Sequence, residues 1–97
     1  GVPASEIFHI AVETTQRNGI PHYARHHCGH GIGLEAYDMP SIAPGCDIKL
    51  EKGMVCCIET PYYELGWGGV QIENTVEVTE TGARYLDKSS DELIVLA

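Results

Sequence analysis

The stretch Met54-Val55-Cys56-Cys57-Ile58-Glu59 limits the folds open to this chain more than any other segment. Five consecutive apolar residues, opened by the turn Glu51-Lys52-Gly53 and closed by Pro61, read as a strand covered on both faces. Such a strand needs neighbours on either side to take its backbone hydrogen bonds, and packed material above and below. It also ends on an acid. A lone buried carboxylate is too costly, so Glu59 requires a partner.

The other elements are read around that strand. Ile7, Phe8, Ala11 and Val12 recur at three- and four-residue spacing after Ser5, a candidate N-cap, and Asn18-Gly19 supplies a stop. This predicts one amphipathic helix over residues 4–18. Residues 26–34 are Gly-rich and suit a strand whose backbone comes close to something else. Residues 36–50, with Pro40, Pro44 and Gly45, read as a loop. Gly66 to Gly69 form a turn around Trp67. Val70 to Val78 then alternates as one strand, with Val70, Ile72, Val76 and Val78 on one face and Gln71, Glu73, Thr75 and Glu77 on the other. Thr79-Glu80-Thr81-Gly82 is a hairpin signal returning through Ala83 to Leu86. Leu93 to Leu96 suggests one more edge strand.

With 97 residues, 43% of them hydrophobic, the chain can form one domain or part of one. Fourteen acidic against six basic residues, with no basic cluster, argue against nucleic acid as a partner. No apolar run is long enough to cross a bilayer, and no secretory leader opens the chain, so a cytoplasmic protein is expected. Gly1-Val2-Pro3 lacks an initiator Met, which suggests a segment of a longer protein. Cys28, Cys46, Cys56 and Cys57 lack CxxC spacing and are expected as reduced, small apolar residues. On a strand Cys56 and Cys57 point to opposite faces, so they would not share one metal.

Three residues carry the chemistry. His30 stands between two glycines, Glu59 ends the buried strand, and Glu73 lies on the polar face of the alternating one. Singly, Glu73 suits a solvated acid and His30 a loop histidine. Together they suit a divalent cation such as Mn²⁺, Co²⁺, Zn²⁺ or Fe²⁺, whose charge offsets the cost of placing two acids side by side.

In order and spacing, Gly29-His30-Gly31-Ile32-Gly33-Leu34-Glu35, Leu50-Glu51-Lys52-Gly53-Met54-Val55, Ile58-Glu59 and Gly68-Gly69-Val70-Gln71-Ile72-Glu73-Asn74-Thr75-Val76 resemble the C-terminal half of the pita-bread metallopeptidases. That family includes methionine aminopeptidase, Xaa-Pro aminopeptidase and prolidase. The resemblance runs from about residue 22 to residue 86. It implies an α+β fold: a curved antiparallel sheet with ligands on its concave face, the helix on the convex face, and residues 1–97 forming only part of the catalytic domain. It also implies two divalent metal ions, Mn²⁺ foremost, held by two upstream Asp that have no counterpart here and by His30, Glu59 and Glu73. Asp38, Asp47, Asp87 and Asp91 all lie downstream of His30. The chain alone would then hold metal weakly or not at all.

The resemblance further implies metal-assisted attack of water on a peptide carbonyl, with Glu59 as both ligand and base. His26 falls where the proline-specific branch has an active-site histidine; His27 has no such parallel. Seven residues after His30, where the peptidases place a second histidine, stands Tyr37, and Thr60-Pro61 replaces a Pro directly after the first Glu. The short connection from Glu59 to Glu73 resembles the Xaa-Pro branch, so hydrolysis of short Xaa-Pro peptides by the full-length enzyme is expected, as a homodimer. Tyr37 keeps open a non-peptide C–N hydrolase like creatinase or ectoine hydrolase, and the fold also occurs in non-catalytic interaction modules.

Overall fold

The computed structural model describes residues 1–88, 90 and 92–97. Helix α1 spans Ala4–Arg17, and its apolar stripe buries Ala4 and Phe8. Ser5 does not cap it. Pro3 holds the cap position with an extended backbone, and the first amides instead reach a following loop: Ala4 N–H donates to the Ile48 carbonyl at 2.9 Å, Ser5 N–H to Cys46 at 3.0 Å. Tertiary carbonyls thus do what a capping hydroxyl does elsewhere. At the other end Asn18 N–H donates back to Thr14 at 3.1 Å, ending the helix one residue before the predicted boundary.

The strands are β1 Gly29–Gly31, β2 Asp38–Ser41, β3 Val55–Glu59, β4 Tyr62–Glu64, β5 Gly68–Val70, β6 Glu73–Val78 and β7 Ala83–Tyr85. Five of them form an antiparallel sheet in the order β2-β1-β3-β6-β7, and β4 and β5 make a separate ribbon. The apolar strand is β3, flanked by β1 and β6 as its burial demands. The hairpin into β7 forms as expected, with Thr79 N–H donating to the Gly82 carbonyl at 2.9 Å.

Three expectations are corrected. Residues 36–50 are not all loop: Asp38–Ser41 is a strand, disguised by Pro40, which is tolerated because β2 lies at the sheet edge. Val70 to Val78 is not one strand. The chain passes from the ribbon to the sheet at Gln71-Ile72, so Val70 and Ile72 stay exposed rather than sharing a buried face with Val76 and Val78. Leu93 to Leu96 forms no strand and is exposed. No helix among the described residues is long and apolar enough to cross a membrane.

Pairing places Cys56 opposite Val76, Ile58 opposite Asn74 and Cys57 opposite Thr75. Alternation then turns Cys56, Ile58, Val76 and Val78 to one face, where they pack with Ala4, Phe8, Cys28, Ile42 and Leu50. Burying the Phe8 side chain alone contributes about 1.5–3 kcal/mol. The opposite face carries Cys57, Glu59, Glu73 and Thr75. One face holds the core and leaves the other free for chemistry.

Candidate metal centre

The site is assembled by register. Glu59 and Glu73 are Cα partners across β3 and β6, and His30 is the partner of Cys57 across β1 and β3. Partners share a face, as do residues two apart on one strand, so His30, Cys57, Glu59 and Glu73 all lie on one face. Glycine brings His30 this close. A Cβ on Gly29, whose φ is +138°, would lie 2.0 Å from the Cys57 carbonyl oxygen, and one on Gly31 would lie 2.3 Å from that of Met39. The close backbone approach expected of the Gly-rich stretch is therefore toward β3 on one side and β2 on the other.

His30 Nδ1 lies 2.7 Å from the Gly31 carbonyl oxygen. A carbonyl can only accept, so Nδ1 carries the proton and Nε2 keeps its lone pair for a ligand. Glu59 is 9% exposed, the only charged residue among the described ones in the buried class. Its Oε2 accepts from Gln71 Nε2 at 2.8 Å, and its Oε1 lies 3.3 Å from His27 Nε2. The same Gln71 amide reaches Glu73 Oε2 at 3.2 Å. Two carboxylate oxygens thus aim at one electropositive nitrogen, the arrangement a divalent cation would use, and the residues present fit such an ion. His30, Cys57 and Glu73 each offer a ligand atom within 4.8 Å of the others. Burial pushes the Cys57 thiol up to about 11, with hydrogen bonding to Glu73 acting in the same direction.

The other proposed residues fall less centrally. Tyr37 sets its ring edge to face against His30, centroids 4.5 Å apart, and against His27 at 6.4 Å. With Asp38, Met39 and Ser41 these rings line a cavity of about 270 Å³ beside the candidate ligands. His26 is exposed, and it is the neighbouring His27 that meets Glu59. Asp38 Oδ2 is engaged by the Glu35 amide and Asp87 Oδ2 by that of Thr75, and Asp91 lies outside the described residues. Sequence reasoning missed three participants. Gln71 shared the polar alternation of Glu73 and was legible in that sense. His27 and Cys57 carried no local signal, because tertiary structure rather than spacing brings them in: Cys57 by strand pairing, His27 from the segment leading into β1.

A profile of metallopeptidase family M24 matches residues 1–80. The Xaa-Pro dipeptidase of Pyrococcus furiosus is 42% identical over 94 residues, covering 97% of this chain and 27% of the relative. That of Lactobacillus delbrueckii subsp. lactis is 41% identical over 96 residues, covering 99% and 26%. Among solved structures, an Xaa-Pro dipeptidase from Bacillus anthracis superposes with a TM-score of 0.89 at 38% identity, over 99% of this chain and 27% of that one. An X-Pro aminopeptidase from Thermotoga maritima does so at 0.88 and 30%, over the same shares.

The fold and the site define an α+β piece of a pita-bread metallopeptidase. The chain belongs to metallopeptidase family M24, a membership that implies divalent metal ions. It spans about a quarter of the length of the relatives it matches.

Proposed function

We propose that the protein carrying this chain is a metal-dependent peptidase that releases the N-terminal residue from short Xaa-Pro peptides. The observation that carries this reading is the pairing of Glu59 with Glu73 on the sheet face that also presents His30. Relatives named Xaa-Pro dipeptidase, alike across nearly the whole chain, support the substrate class.

In this reading His30, Glu59 and Glu73 are three ligands of a two-ion centre, and the remaining acids come from the rest of the fold. The resemblance puts Mn²⁺ foremost, and the imidazole and carboxylate donors also accept Co²⁺, Zn²⁺ or Fe²⁺. Divalent cations bound there would polarise the scissile carbonyl and activate a water. The chain's own residues do the rest. Glu59 holds a ligand oxygen and takes the proton released by the attacking water. His27, at its other oxygen, orients that carboxylate. Tyr37 walls the cavity beside His30 and offers a phenol as a hydrogen-bond donor to substrate, while exposed His26 serves as a further substrate contact. The unpaired cysteines support a reducing, cytoplasmic setting, and the exposed apolar side chains Leu65, Trp67 and Val70 suit burial against the rest of the protein or a second copy of it.

One observation favours a second reading. Tyr37, a phenol where the peptidases have a histidine, packs edge to face on His30, which suits a related hydrolase acting on non-peptide C–N bonds of small amides.

The test is hydrolysis of Xaa-Pro dipeptides by the intact protein loaded with Mn²⁺ or Co²⁺, beside a panel of small cyclic and amidino amides. Glu73→Ala should cost at least about 100-fold in kcat/KM and lower bound metal. Activity that survives the substitution refutes the ligand assignment, and turnover confined to the small amides transfers the case to the second reading.

A further inference from the structure

Cys57 is completely buried, yet on the face of β3 opposite the hydrophobic core. Its neighbour Cys56 packs under α1 as a small apolar residue, whereas Cys57 stands between a histidine and an acid. The ligand atoms of His30, Cys57 and Glu73 all lie within 4.8 Å of one another. Donors bound to one tetrahedral ion, each at roughly 2.0–2.3 Å, stand about 3.3–3.8 Å apart. Side-chain adjustments of up to about 1.5 Å, within the reach of χ rotations in His30 and Glu73, would close all three donors on one cation. The backbone already fixes the arrangement, because Cys57 is the Cα partner of both His30 and Thr75, and Thr75 is two residues along β6 from Glu73.

The geometry points to Cys57 as an additional metal ligand, a sulfur donor that joins His30 and Glu73 on one divalent ion. This rests on the reading of the site as a metal centre and goes beyond it in naming the donor and the class of ion. As the metal–sulfur bond forms, the thiol proton leaves to solvent and no electrons are transferred. A sulfur, nitrogen and oxygen set suits borderline ions such as Zn²⁺, Co²⁺ or Fe²⁺ better than Mn²⁺, which prefers carboxylate and water. The thiol thereby sets which ion the site selects.

The test is spectroscopic and needs no substrate. Cobalt(II) is titrated into the metal-free intact protein, wild type, Cys57→Ser and Cys46→Ser. A near-ultraviolet sulfur-to-cobalt charge-transfer band should accompany the visible d–d bands in the wild type and in Cys46→Ser and be absent in Cys57→Ser. The ratio of Zn²⁺ to Mn²⁺ affinity should fall about 10-fold or more in Cys57→Ser. X-ray absorption of zinc-loaded wild-type protein, which requires no variant to fold, should show sulfur at about 2.3 Å. Visible d–d bands without charge transfer, a band that persists in Cys57→Ser, or a zinc shell of nitrogen and oxygen alone overturns the sulfur ligand and leaves the metal centre standing. Failure to take up any cobalt removes both.

Discussion

Replacing Gly29 by alanine tests how the site is built. The residue adopts φ +138°, and a Cβ there would lie 2.0 Å from the Cys57 carbonyl oxygen, with the Cys57 carbonyl carbon at 3.0 Å. Ordinary van der Waals separation is about 3.5 Å, so β1 and β3 would have to part by more than about 1 Å. A non-glycine residue held in this backbone region costs about 1–3 kcal/mol, and overpacking against a rigid backbone a further 1–3 kcal/mol. Gly29→Ala should therefore lose about 2–6 kcal/mol. Gly45→Ala is the control: its φ is +74°, but nothing lies within 4 Å of the added methyl, so only a backbone cost of about 1–2 kcal/mol applies. Denaturant unfolding of the intact metal-free protein measures both, and metal titration should show weaker binding in Gly29→Ala alone, because the strands that part carry His30 and Glu59. Equal losses at the two positions, with metal affinity unchanged, would refute the claim that close approach of β1 to β3 sets the site.

Two further expectations concern groups around the site. Gln71→Leu removes the amide shared by Glu59 and Glu73, so the metal-free protein should lose about 1–2 kcal/mol and added metal should restore most of it; a loss that is the same with and without metal would show that the amide does not stand in for the ion. Tyr23 is buried, its hydroxyl has no partner among the described residues, and burial pushes its phenol up to about 12. A raised folded-state value favours the protonated form, so this contribution is intact below pH 10 and is lost as pH rises from 10 through 12. Tyr23→Phe should be at least as stable at pH 8 and lose less between pH 10 and 12 in thermal melts; a destabilised variant at pH 8 would reveal a hydrogen bond to that hydroxyl.

Much of the architecture was legible locally. The helix declared itself by period, β3 by an uninterrupted apolar run, and β7 by its turn, because each is dictated by side chains close in sequence. Edge strand β2 was not, since Pro40 removes the pattern and an edge needs no alternation. The division of residues 70–78 between two sheets was hidden for a related reason: Val70 and Ile72 alternate correctly, yet Val70 pairs with Tyr62 in the ribbon and neither packs on the core.

His30, Glu59 and Glu73 could be singled out from sequence because each is chemically out of place among its neighbours, a glycine-bounded imidazole or an acid on an apolar or alternating strand. Which residues touch was decided only by pairing. The strand register sets Glu59 beside Glu73 and His30, with the Cys57 thiol, on the same face, and the segments flanking those strands bring in His27 and Gln71. A sequence states what each side chain can donate or accept. Convergence on one point depends on backbone hydrogen bonds between segments tens of residues apart, and a register shift of one residue would send every donor to the opposite face.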